Sequence, residues 1–186
     1  MKKGAIILIA TVAVLVIAGL IWKSREASAP QPFVIEMVQG ERVAAWDFKG
    51  AYTGNAELEA KADAEIARLI GLLGSKQYPD YTLYVSIANQ YGLLGDGARE
   101  LAYLQKALAI NSTTTGLAWH NAGQLFALLG AYQTARMALE KAATTQPITQ
   151  YQQALVDFLL ARFPADTAAI KNGQQAMQDS LGEANR

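Results

Sequence analysis

His120 is the only histidine in the chain, and cysteine is absent. A structural or catalytic zinc site needs three or four converging Cys, His or carboxylate ligands. One histidine with no cysteine and no second histidine does not begin such a set. No motif places a nucleophile or an orienting carboxylate around His120, so it is unsupported as a triad base. Asn111-Ser112-Thr113 has the form of a glycosylation sequon, which matters only in a glycosylating secretory pathway. Gly92 to Gly97 is glycine-rich but lacks the Lys-Ser/Thr of a phosphate loop. Asp63, Glu65 and the other carboxylates fall on solvated helix faces, at no spacing that suits a paired acid and base. The residue types therefore predict neither catalysis, nor a cofactor, nor a metal.

What remains is recognition by uncharged side chains. Leu117, His120 and Gln124 recur at i, i+3 and i+7, one face of a helix. Thr82, Val85 and Asn89 stand 35 residues earlier with the same spacing. These six are the candidate partner-binding residues. The elements that position them repeat at the same offset. Leu93-Leu94-Gly95 matches Leu128-Leu129-Gly130, Tyr84 matches Trp119, Ala88 matches Gly123, Tyr91 matches Phe126, Leu104 matches Leu139, and Ala107 matches Ala142. Self-similarity of this kind marks stacked helical units. Small residues at Ala88 and Gly123 let a neighbouring helix approach. Gly95 and Gly130 stand in the turn between antiparallel helices, where a positive φ suits glycine. Pro147 cannot continue a helix and marks the next start.

Trp119, Gly123, Phe126, Tyr132, Ala135, Leu139, Ala142 and Pro147 together resemble the tetratricopeptide repeat in order and spacing. The first copy departs from that pattern at Gly97, Glu100 and Ser112, and its step is one residue over the family's usual length of about 34. The extra residue belongs to the turn Ser112–Thr115. A degenerate third copy starts at Tyr151, with Leu155, Phe158 and Leu159 on one face. It turns at Pro164-Ala165-Asp166 and ends on a helix striped by Ile170, Met177 and Leu181. The resemblance implies an all-α fold, a short array of antiparallel helix pairs. It also implies a concave surface, lined by the first helix of each pair, that receives a peptide or a partner's helix. The Lys/Asn set by which some such repeats clamp a C-terminal carboxylate is missing.

Ahead of the repeats, Asn55 to Gly74 reads as one amphipathic helix. Asn55 is its N-cap, and Glu57 and Glu59 lie in its first turn. Leu58, Ala62, Ile66, Leu69 and Leu73 form its apolar face, and Glu57–Lys61 and Lys61–Glu65 are i,i+4 pairs. The segment Phe33 to Phe48 admits two readings. One is a hairpin turning at Gln39-Gly40; the other is an extended arm packed on the helical body by Trp46 and Phe48. Such an arm would be a candidate to fill the groove itself.

Gly4 to Trp22 carries no charge, and eleven of its residues are Ile, Leu or Val. As a helix it spans about 28 Å, near the hydrocarbon thickness of a bilayer. No two small residues lie four apart in it, so it reads as a tether rather than a dimerising helix. The alternative is a signal peptide cleaved after Ala27-Ser28-Ala29, against which stand the length of the run and Pro30. Lys2 and Lys3 resemble a signal n-region and favour a body outside the cytoplasm. The division expected is anchor 1–25, linker and arm 26–54, helical repeats 55–186.

Four of the 16 Lys/Arg precede Glu26, and all 16 Asp/Glu follow from it, leaving the body at −4. A mildly acidic body without a basic block argues against nucleic acid. The expected role is a membrane-tethered scaffold that binds a protein or peptide. The alternatives are a self-assembling envelope component and an accessory subunit of a membrane enzyme.

Overall fold

The computed structural model describes residues 32–184, and the candidate anchor at 4–22 lies outside them. Among the described residues no helix is long and apolar enough to cross a membrane. They form seven helices and no strand: α1 (Ala56–Leu72), α2 (Asp80–Leu94), α3 (Gly97–Ile110), α4 (Leu117–Leu128), α5 (Tyr132–Thr145), α6 (Thr149–Arg162) and α7 (Thr167–Ala184). Each helix packs on the next, and α2 also touches α4.

The start of α1 follows from its capping chemistry. Asn55 Oδ1 accepts the N–H of Leu58, and Glu57 and Glu59 occupy the positive end of the helix. Ala62, Ile66 and Leu69 of the expected stripe are buried. Lys61 pairs with Glu57 at 2.6 Å, but the expected Lys61–Glu65 pair does not form. Glu65 instead takes two hydrogen bonds from the forked guanidinium of Arg68, the stronger geometry.

The two repeat units match in their hydrogen bonds. At the end of α2, Gly95 has φ +84°, and Asp96 N–H donates to Tyr91 C=O at 2.9 Å. At the end of α4, Gly130 has φ +81°, and Ala131 N–H donates to Phe126 C=O at 2.9 Å. Both glycines sit where a left-handed residue satisfies the last carbonyls of a helix. Beneath these turns the small residues do what their size allows: Ala88, Gly123, Ala135 and Ala142 are all buried. The longer step between units is taken up at Asn111–Gly116. There Asn111 Oδ1 accepts from Thr113 and Thr114, and Trp119 Nε1 donates to Ser112 C=O.

Residues 33–48 form an arm, not a hairpin. The turn at Gln39-Gly40 exists, with Glu41 N–H on Val38 C=O and Gly40 at φ +91°. Its two limbs bond to the helices instead of to each other. Val38 N–H donates to Thr134 Oγ1, Gly97 N–H donates to Trp46 C=O, and Phe48 N–H donates to Gly95 C=O. The paired contact of Asp47 with Asp96 is an isolated bridge. Phe33 meets Trp119 edge-on at 5.5 Å, Trp46 meets Phe126 at 6.4 Å, and Ile35 is buried in one cluster with Leu104, Leu108 and Ala138. The arm thus adds to the core that the two units share.

A capping difference explains why the arm binds where it does. Asp96 caps α3 by accepting Arg99 N–H at 2.8 Å. The equivalent residue before α5 is Ala131, which has no oxygen to offer. Glu41 of the arm supplies it: its carboxylate accepts Gln133 N–H and Thr134 N–H at 2.7 Å each, and the Thr134 hydroxyl at 2.6 Å. Partial burial pushes the Glu41 pKa up. The bonds from the Thr134 hydroxyl and the two amides outweigh this and bring it below the ordinary value.

Candidate partner-binding face

The first helices of the two units, α2 and α4, carry the six candidate residues. Thr82, Asn89, Leu117 and Gln124 are exposed. Trp119, Gly123 and Phe126 are buried on another face of α4, as the spacing requires. The arm lies against Trp119 and Phe126 and so leaves the side of Leu117 and Gln124 open. It does not fill the expected groove. The aromatic residues at Phe33 and Trp46 explain the difference, since they pair with the rings of the core positions rather than with the polar face.

Two of the six are not free. Val85 is buried within the main core, so it supports the face without belonging to its surface. His120 is half-buried, its ring tilted at 34° against that of Tyr151 of α6 with centroids 5.1 Å apart. Burial lowers its pKa below the ordinary value, and its Nδ1 is buried without a hydrogen-bond partner. A residue the sequence did not single out joins the two units across this face: Asn121 Nδ2 donates to Asn89 Oδ1 at 2.8 Å. Its signal was its position, one residue beyond His120 on the same helix. Leu128, in the last turn of α4, is also exposed and extends the series Leu117, Gln124 by a further turn.

The chemistry of this face is neutral. It offers two leucines, two amides and a threonine hydroxyl, with Asn121 steadying Asn89. That suits an apolar partner segment with a few hydrogen-bonding groups better than a charged one. Among the described residues no three His, Asp or Glu side chains gather in a metal-binding group.

Two polar features elsewhere were not legible in the spacing. Tyr91 and Tyr103 stack at 5.5 Å, with Arg99 over Tyr91 and Lys106 over Tyr103. Glu100 stands at the position of Ala135. Its side chain is nearly buried against Gly92, where a Cβ would lie 2.8 Å from Glu100 Oε2. Burial raises its pKa to about 7.

Comparison with known proteins gave no match to any family, any curated protein or any solved structure.

Proposed function

We propose that this chain is a membrane-tethered scaffold of tetratricopeptide type, held by residues 4–22, whose body lies outside the cytoplasm. Its face of Thr82, Asn89, Leu117 and Gln124 binds a protein partner through an apolar peptide or helix. The observation that carries this reading is that these four side chains stay exposed on the first helices of two stacked units. The chain's own arm is spent on the opposite, aromatic side. Stacked helical units offer extended surfaces of this kind, and each unit adds one helix to the contact. The exposed leucines supply desolvation energy, and the amides fix the register of the bound segment.

The test is crosslinking capture from native membranes with the full chain. Leu117→Glu combined with Gln124→Glu places two charges on the face without touching the core. Capture should be lost while the thermal midpoint stays within about 2 °C of the parent. Unchanged folding with unchanged capture would put the binding surface elsewhere. His120→Glu is unsuited to this test, because a charge there would be driven against Tyr151.

A further inference from the structure

One end of the helical body carries exposed apolar side chains in its turns. Val34, Tyr78, Ile110 and Ile148 are between 38% and 60% exposed. They belong to four separate segments that the fold gathers together. Tyr78 and Ile110 line one cleft with Lys76 and Asp80. The start of α4 is tied to the start of α2 by Ala118 N–H on Tyr81 Oη at 3.1 Å, and to the end of α5 by Gly116 N–H on Gln146 Oε1 at 3.0 Å. Phe33 lines a second cleft at this end with Thr113, Lys141 and Thr144. The one carboxylate lining the two clefts, Asp80, is occupied by Gly74 N–H at 2.9 Å.

Phe33 is also where the chain enters the described body. Ten residues, 23–32, separate it from Trp22, the last of the apolar run, so eleven residue-to-residue steps join the two. Fully extended, they reach about 35–40 Å, and less as a flexible coil. If residues 4–22 are in the bilayer, this end of the body is covalently confined to the neighbourhood of the lipid surface. Its composition fits that surface: a tyrosine with a wet hydroxyl, two isoleucines, and two lysines able to bury their stems and keep their charges in water.

We propose that this end of the helical body docks on the lipid surface, with Tyr78, Ile110 and Ile148 in the interface and Lys76 and Lys141 toward anionic headgroups. The inference rests on the anchor reading above. It would hold the open face of α2 and α4 at a fixed tilt to the membrane.

The absence of cysteine makes the test clean, because any introduced cysteine is the only one. Ile110→Cys and Ile148→Cys are labelled with an environment-sensitive fluorophore in the full chain. Leu128→Cys and Leu160→Cys, exposed positions near the opposite ends of α4 and α6, serve as controls. The proteins are reconstituted into phosphatidylcholine vesicles with and without phosphatidylglycerol. The first pair should be blue-shifted on reconstitution and quenched by brominated acyl chains, and the second pair should show neither effect. Phosphatidylglycerol should increase the quenching, and Lys76→Glu with Lys141→Glu should remove that increase. Equal quenching at all four positions, or at none, in chain that floats with the vesicles overturns the docking and leaves the anchor intact. Failure to float overturns both. Shielding of Ile110→Cys from a soluble quencher in native membranes but not in vesicles would assign the patch to a protein partner and overturn the lipid assignment.

Discussion

Gly123 is the residue on which the register of the second unit depends most directly. A Cβ at this position would lie 2.6 Å from Leu139 Cγ, 2.8 Å from Leu139 Cδ2 and 3.2 Å from the Ala135 carbonyl oxygen. Carbon atoms settle at about 3.5–4.0 Å, so Leu139 would have to retreat by roughly 1 Å. It has little room, since Ala135, Ala138 and Ala142 around it are fully buried. Overpacking of this kind costs about 1–3 kcal/mol. Replacing glycine by alanine within a helix gains back at most about 1 kcal/mol. Gly123→Ala should therefore lose up to about 2 kcal/mol, and Gly123→Leu about 3 kcal/mol or more. For a chain of this size the leucine variant should melt roughly 6–12 °C lower.

Gly71 of α1 is the internal control. It is helical, has ordinary φ, and a Cβ there meets nothing within 4 Å. Gly71→Ala should be neutral or stabilise by up to about 1 kcal/mol. The assay is urea unfolding followed by circular dichroism and tryptophan fluorescence. A double-mutant cycle isolates the contact. Leu139→Ala alone should cost about 2–5 kcal/mol. Combined with Gly123→Ala it should cost less than the two single losses together, by about 0.5 kcal/mol or more. Strict additivity, or a Gly123→Leu variant as stable as the parent, would refute the packing assigned to α4 and α5.

Glu41 and Glu100 give pH predictions of opposite sign. The folded pKa of Glu41 is depressed, so its contribution is present above the unfolded value of about 4.3 and is lost as pH falls through the folded pKa. A fluorophore at Val34→Cys should report release of the arm over that acid range, and Glu41→Gln should loosen the arm at neutral pH; an arm whose signal ignores both would refute the clasp. The folded pKa of Glu100 is raised to about 7, so it destabilises the fold progressively as pH rises from about 4.3 to 7. Glu100→Ala, the residue found at the equivalent position 135, should remove that slope and stabilise the protein at pH 8 by about 4 kcal/mol at most. A variant less stable at every pH would show that the carboxylate makes a contact worth keeping.

The helical part of the fold was legible because its signals are local. The cap at Asn55, the glycines at 95 and 130 and the stripe Ala62, Ile66, Leu69 each act within a few residues, and each lies where the spacing put it. The candidate face was legible only in part. Thr82, Asn89, Leu117 and Gln124 are exposed, but Val85 and His120 are covered by elements whose placement depends on the tertiary stacking. Helical spacing says which side chains share a face; it does not say how far a neighbouring helix overhangs that face. The arm was the least legible segment. Alternating Phe33, Ile35 and Met37 fit a strand as well as an extended segment, and only partners almost a hundred residues away, such as Thr134, decide between them.

Ala131 turns that long-range choice into a local necessity. A helix leaves its first amides without intrahelical partners, and water or a side chain must take them. In the first unit Asp96 does so from the turn itself. In the second unit the turn has alanine, and Thr134, fully buried, brings a hydroxyl that also needs a partner. A buried hydroxyl or amide without a partner costs about 1–3 kcal/mol, so the start of α5 would be a weak point of the array by itself. The carboxylate of Glu41 closes the two amides and the hydroxyl at once, and the Val38 amide completes the second bond to Thr134. Ala131→Asp separates this reasoning from mere packing. An aspartate there could cap α5 from its own turn and compete with Glu41 for the same amides. Glu41→Gln should then cost clearly less in the Ala131→Asp background than in the parent, with a coupling of about 0.5–2 kcal/mol. If the cost of Glu41→Gln is the same in both backgrounds, the arm is held by its aromatic contacts alone and the missing cap has no part in placing it.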